Sequence, residues 1–101
     1  MPYPIRFFLQ GQVWHITHRC HNRKLLLDQT VYRDIWSKWL YKAQDRYGVP
    51  ILNYVVTSNH IHLLVLAPED KEAIPRTMQL IAGRTGFEYN RRKNRKGAFW
   101  E

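Results

Sequence analysis

Hydrophobic and polar positions in the 101-residue chain resolve into five successive patterns. After an opening segment, Met1 to Gly11, with Pro2, Pro4 and the basic Arg6, come Val13, Trp14, Ile16 and Thr17. These β-forming residues predict a first strand over 12–19. Its alternation sets Val13, His15 and Thr17 on one side and Trp14, Ile16 and His18 on the other. Tyr32, Ile35, Trp36, Trp39, Leu40, Ala43 and Tyr47 then recur at steps of three and four, the stripe of a core-facing helix. Asp28 or Thr30 can cap its start, and Gly48 followed by Pro50 supplies its stop. Arg33, Lys38, Lys42 and Arg46 occupy the rest of this helix and read as its solvated face.

Residues 50–57 are apolar on both faces, which predicts a strand in a central position. Thr57-Ser58-Asn59 is a short turn, so the next run, His60 to Ala67, pairs with it as a hairpin. In that strand His60 and His62 point one way while Ile61, Leu63 and Val65 point the other. A polar loop, Ala67 to Lys71, leads to a second helix with Pro75 in its first turn. Met78, Ile81, Ala82, Thr85 and Tyr89 follow one face of it; Gly83 and Gly86 each weaken it by about 1 kcal/mol relative to Ala. Phe99-Trp100 begins another apolar segment just as the sequence stops, so the chain reads as truncated.

The order strand, helix, strand, strand, helix, with room for a final strand, predicts one α+β domain of ferredoxin-like type. Two helices would cover one face of a mainly antiparallel sheet. Leu63 and Val65 would face the helices, leaving His60 and His62 on the open side. Apolar residues are 45% of the chain, enough for a core, so wholesale disorder is excluded. No apolar run approaches the roughly 20 residues that span a bilayer, and no signal-peptide core is present. The single Cys20 excludes an internal disulfide and agrees with a reducing cytoplasm.

Charge adds a partner class. Lys and Arg number 16 against 8 Asp and Glu, a net +8 with a pI near 10. Nucleic acid is the first candidate and an anionic membrane surface the second. Asn90-Arg91-Arg92-Lys93-Asn94-Arg95-Lys96 holds five cations in seven residues, either a solvated helix end or a phosphate-binding patch; the overall charge favours the patch. Two imidazoles one strand-step apart can share one metal ion, against the alternative of two half-exposed histidines on an open sheet. His15, His18, Cys20 and His21 match none of the usual structural-zinc spacings.

Gly11-Gln12-Val13-Trp14-His15-Ile16-Thr17-His18-Arg19-Cys20-His21-Asn22-Arg23 resembles the opening strand of the IS200-like transposases, specifically the REP-associated tyrosine transposases. Val56-Thr57-Ser58-Asn59-His60-Ile61-His62-Leu63-Leu64-Val65 is similar to their His-hydrophobic-His strand. Asn90-Arg91-Arg92-Lys93 and Gly97-Ala98-Phe99-Trp100-Glu101 resemble their basic stretch and Gly-x-x-Trp-Glu segment. The resemblance implies a bacterial cytoplasmic transposase domain, monomeric or homodimeric, acting on single-stranded or hairpin DNA. It implies Mg²⁺ or Mn²⁺ on His60 and His62, with further oxygen or amide ligands and water. Arg19, Arg23, Lys24, Arg91, Arg92, Lys93, Arg95 and Lys96 would form the DNA-binding surface.

In the family a tyrosine attacks phosphorus from a helix that follows Trp-Glu, and this sequence ends at Glu101. Tyr89 is the only tyrosine near the basic stretch, and its helical phase makes it a packing residue before a nucleophile. The chain is therefore expected to bind DNA, and metal, without cutting. Two other classes compete. One is a binding remnant that recognises hairpin DNA or RNA by charge. The other is a cyclic-phosphate RNA esterase, suggested by the single His-x-Thr of His15-Ile16-Thr17 but lacking a second copy.

Overall fold

The computed structural model describes residues 11–101, so the opening segment with Pro2, Pro4 and Arg6 lies outside the described residues. In chain order the elements are β1 (Val13–Arg19), a single 3₁₀ turn (His21–Arg23), α1 (Thr30–Tyr47), β2 (Ile51–Val56), β3 (His60–Leu66) and α2 (Ala73–Lys93). The sheet is antiparallel throughout with strand order β1-β3-β2. This is the split βαβ arrangement, in which the crossover through α1 leaves a gap that β3 fills.

That order corrects one expectation. β2, apolar on both faces, is an edge strand and β3 is central. Its double-sided apolarity is explained by a register irregularity between Ile51 and Asn53 and by Leu52 and Val55, both about half exposed. The alternating strand is the central one because only one side of the sheet is covered. Ile61, Leu63 and Val65 are each at most 1% exposed and join Trp36, Leu40 and Ile81 in one core under the two helices.

The start of α1 is a second correction. Its N-cap is Gln29, without a side-chain capping bond. The Thr30 hydroxyl instead accepts from Arg33 Nη2 at 3.2 Å, and the Asp28 amide closes a turn onto Leu25 O. The helix ends as its sequence implies, with Gly48 in the left-handed region at φ 70°, where a glycine avoids the steric cost of a Cβ.

α2 continues through Gly83 and Gly86 because its apolar face, including Met78, Ile81, Thr85 and Tyr89, is buried and outweighs the weak propensity. At Gly86 the missing side chain has a packing use. A Cβ there would stand 3.1 Å from Phe99 Cβ. Beyond α2 the chain folds back, Phe99 is buried, and Trp100 pairs with Cys20 along the free edge of β1. The bonds are His21 N to Phe99 O at 2.8 Å and Glu101 N to Arg19 O at 2.9 Å. The anticipated final strand is thus represented by this one antiparallel bridge. No helix among the described residues is long and apolar enough to cross a membrane.

Candidate functional site

The open face of the sheet is built by three registers. Arg19 lies opposite His60, Thr17 opposite His62 and His15 opposite Leu64, while Val55 of β2 flanks His62 on its other side. Alternation along β3 sends Ile61 and Leu63 into the core and leaves His60 and His62 half-buried on the uncovered side. Their ring centroids are 4.8 Å apart and nearly perpendicular, at 81°.

Each ring is held through Nδ1. His60 Nδ1 lies 2.8 Å from Asn59 Oδ1 and 2.9 Å from Thr57 Oγ1. His62 Nδ1 lies 3.0 Å from His15 Nε2, with Thr17 Oγ1 at 3.5 Å, the limit of a hydrogen bond. His15 and His62 also stack, centroids 5.2 Å apart. In both rings Nε2 is the nitrogen left for an outside partner. Desolvation, and then the charges of His60 and His15, lower the pKa of His62 from the usual imidazole value. The neutral ring that a metal ion or a phosphate-bound proton requires is therefore favoured.

The strand prediction placed His15 on this face, but its contact with His62 depends on tertiary register. It is a diagonal neighbour across two strands, a pairing that an imidazole can span. Thr17 reaches His62 through the same register, whereas Thr57 and Asn59, three and one residues before His60, orient that ring through the local turn. No group of three or more His, Cys, Asp or Glu among the described residues is arranged to hold a metal ion. His15 spends its Nε2 on His62. His18 points to the other side, near Trp100 at 5.5 Å, and burial pushes it down to about 4. Cys20 is fully buried, and desolvation pushes its thiol up to about 11. The four residues considered for zinc therefore do not converge.

The basic residues divide into three groups. Arg19 and Arg23 line a shallow pocket of about 220 Å³ together with Asn59 and His60. The turn that brings Arg23 there has left-handed backbone at Asn22 (φ 53°) and Arg23 (φ 56°). Lys24, next in sequence, is exposed. Arg91, Arg92 and Lys93 form the last turn of α2, in the layer that covers the opposite side of the sheet, and Lys96 is exposed just beyond it. Arg95 is engaged internally: its guanidinium donates to Asn90 Oδ1 at 2.7 Å and Ala98 O at 2.9 Å, fastening the returning segment to α2. Tyr89 is buried edge-on between Tyr32 at 4.7 Å and Phe99 at 5.1 Å, the packing role its helical phase implies.

Fold and site together describe an α+β protein whose uncovered sheet face carries an oriented imidazole pair beside an arginine pocket. Residues 9–101 match the family described as Transposase IS200 like, and the chain belongs to that family. Among solved structures it is similar to a REP-associated tyrosine transposase bound to a REP hairpin, at 19% identity with a TM-score of 0.74. That match covers 100% of this chain and 58% of the other, so the chain spans less than two thirds of that protein's length. A protein of Deinococcus radiodurans assigned to the transposases is also similar, at 17% identity and TM-score 0.70, covering 99% of this chain and 80% of that one. At these identities the structural likeness is one of fold. No curated protein matches in sequence.

Proposed function

We propose that this domain binds single-stranded or hairpin DNA on the open sheet face and holds one divalent ion, Mg²⁺ or Mn²⁺, on His60 and His62 beside a DNA phosphate. The observation that carries the reading is that both rings stand on the same face of β3 and are anchored through the same nitrogen. Each has Nδ1 occupied by a neighbour within 3.0 Å, which leaves Nε2 as the ligand atom. Metal-bound histidines characteristically have the second nitrogen held in this way. The donor set fits such an ion in part. Two imidazoles supply two positions, and a hard cation takes the remainder from phosphate oxygens, water and other oxygen donors. When bound, the ion supplies charge neutralisation on the non-bridging phosphate oxygens during strand cleavage.

The chain's own residues position the substrate. Arg19 and Arg23 bind phosphate oxygens next to His60, where charge-assisted bonds are strongest. Asn59 and Thr57 fix the ring of His60, and His15 fixes that of His62. Tyr32, Tyr41, Tyr47, Tyr54 and Tyr89 lie on the helices or on the covered side of the sheet, so none of them attacks a phosphate held at the histidines. The reading is therefore DNA binding and metal-assisted positioning by these residues, within a transposition reaction whose nucleophile is not among them.

Titration of Mn²⁺, followed by its electron paramagnetic resonance in the presence of hairpin DNA, tests this. One bound ion per chain is expected, weakened at least tenfold by His60→Ala and by His62→Ala, with DNA affinity in EDTA little changed. Equal Mn²⁺ binding by wild type and both variants would overturn the metal assignment. A denaturing gel after incubation with DNA and Mn²⁺ should show no covalent DNA–protein band.

A further inference from the structure

The layer of helices carries most of the molecule's charge excess. α1 and α2 hold nine Lys and Arg against only Asp34, Asp45 and Glu88. Among the described residues the only ion pair is Lys38 with Glu88 at 3.5 Å; Arg84 is near enough to help hold the Glu88 carboxyl below its usual value, and no other cation of these helices forms an ion pair there. They are also concentrated. Lys38, Lys42 and Arg84 all stand over the Trp39 ring, at 5.3, 5.0 and 4.9 Å.

This arrangement follows the seam between the helices. At one end Arg76 and Arg84 line a pocket of about 260 Å³ with Tyr47, beside Arg46, whose guanidinium lies 5.6 Å from the Tyr47 ring. Midway is the Trp39 cluster. At the other end Arg91 and Arg92 line a pocket of about 410 Å³ with Glu88. The residues repeat at steps that keep one side of a helix, Lys38-Lys42-Arg46 on α1 and Arg76-Arg84-Arg91 on α2. From Arg76 to Arg92 the seam runs about 24 Å at 1.5 Å per residue. That is the length of roughly seven phosphates along one strand of a duplex.

Read singly, Lys38, Lys42 and Arg46 are a solvated helix face. Paired with α2 they are not. Three like charges gathered on one ring repel one another and are offset only in part by the single carboxylate of Glu88, which accepts from Trp39 Nε1 and Lys38 Nζ, whereas an ordinary solvated surface intersperses both signs more evenly. A polyanion laid along the seam relieves that repulsion. The Trp39 ring is already covered by cations, so the seam offers charge and no free aromatic face for stacking a base.

We propose that the α1–α2 seam is a second binding surface, which takes the phosphate backbone of a nucleic acid without reading its sequence and lies on the opposite side of the molecule from the histidines. The inference rests on the DNA reading above for the identity of the polyanion. It would let one domain hold a length of backbone on its helices while the sheet face engages a separate phosphate.

The test is fluorescence anisotropy with a DNA hairpin, and with an unpaired oligonucleotide of equal length, over a series of salt concentrations. The variant Lys42→Gln/Arg76→Gln/Arg84→Gln is compared with wild type and with Lys71→Gln, an exposed cation in the β3–α2 loop. The triple variant should make the plot of log affinity against log salt shallower by roughly 0.7–0.9 per cation removed, and leave Mn²⁺ binding at the histidines unchanged. Loss on the hairpin alone assigns the seam to a duplex stem; loss on both assigns it to any backbone. An unchanged slope while wild type binds DNA would overturn the seam and leave the histidine face standing. So would an equal loss per charge from Lys71→Gln, or tighter binding to phosphatidylserine vesicles than to DNA that the same variant abolishes. If wild type binds neither DNA, both readings fall together.

Discussion

At the scale of single residues, orientation matters more than identity. His60 and His62 owe their common direction to strand alternation, but the usable nitrogen is selected by Asn59, Thr57 and His15. If His62 donates Nδ1–H to His15 Nε2, then His15→Ala should weaken Mn²⁺ binding by about ten- to a hundredfold. His15→Gln keeps an acceptor and should recover most of it, whereas a merely structural role would leave both variants equal. His18, on the other side of β1, makes a different prediction. Its pKa falls from 6.5 to about 4 because burial disfavours the charged ring, and its Nδ1 has no hydrogen-bond partner among the described residues. The unfolded chain takes up this proton below about pH 6.5 and the folded chain only near 4. Stability from this group is therefore full at neutral pH and lost as pH falls through that window, by at most about 3 kcal/mol. Urea midpoints at pH 7 and 4.5 should differ less in His18→Phe than in wild type.

At the scale of elements, two glycines in the same helix separate propensity from packing. Gly83 has open space where a Cβ would go, and Gly86 has Phe99 at 3.1 Å. Gly83→Ala should stabilise by about 0.5–1 kcal/mol in urea unfolding. Gly86→Ala should forfeit that gain or reverse it, because Phe99 must move. The helices were legible from their 3.6-residue stripes, and the β2–β3 hairpin from its short turn. The position of β2 was not. An apolar run is the same in a buried strand and in an edge strand with a register shift, and only pairing with β1 distinguishes them. The cap of α1 was also illegible, since Thr30 is used by Arg33.

At the scale of the whole molecule, charge and chemistry occupy different sides. The sheet face has the imidazoles and the Arg19–Arg23 pocket, and the helix layer has the larger share of the net +8. An interaction led by that charge should be strongly salt-dependent. If six or more phosphates are contacted in all, affinity for hairpin DNA should fall about a thousandfold or more between 50 and 200 mM salt, measured by anisotropy. A flat salt response would argue against a phosphate-led interaction.

The order of helices and strands, the basic character and the common direction of His60 and His62 were determined by the sequence alone, because period, composition and alternation are local properties. The bond from His15 to His62, the use of Arg95 as an internal clasp and the alignment of cations along the α1–α2 seam were decided only by tertiary structure. Each joins residues on different elements, or depends on how the chain folds back. Local pattern carries no register between strands 47 residues apart, nor the rotation of one helix against another.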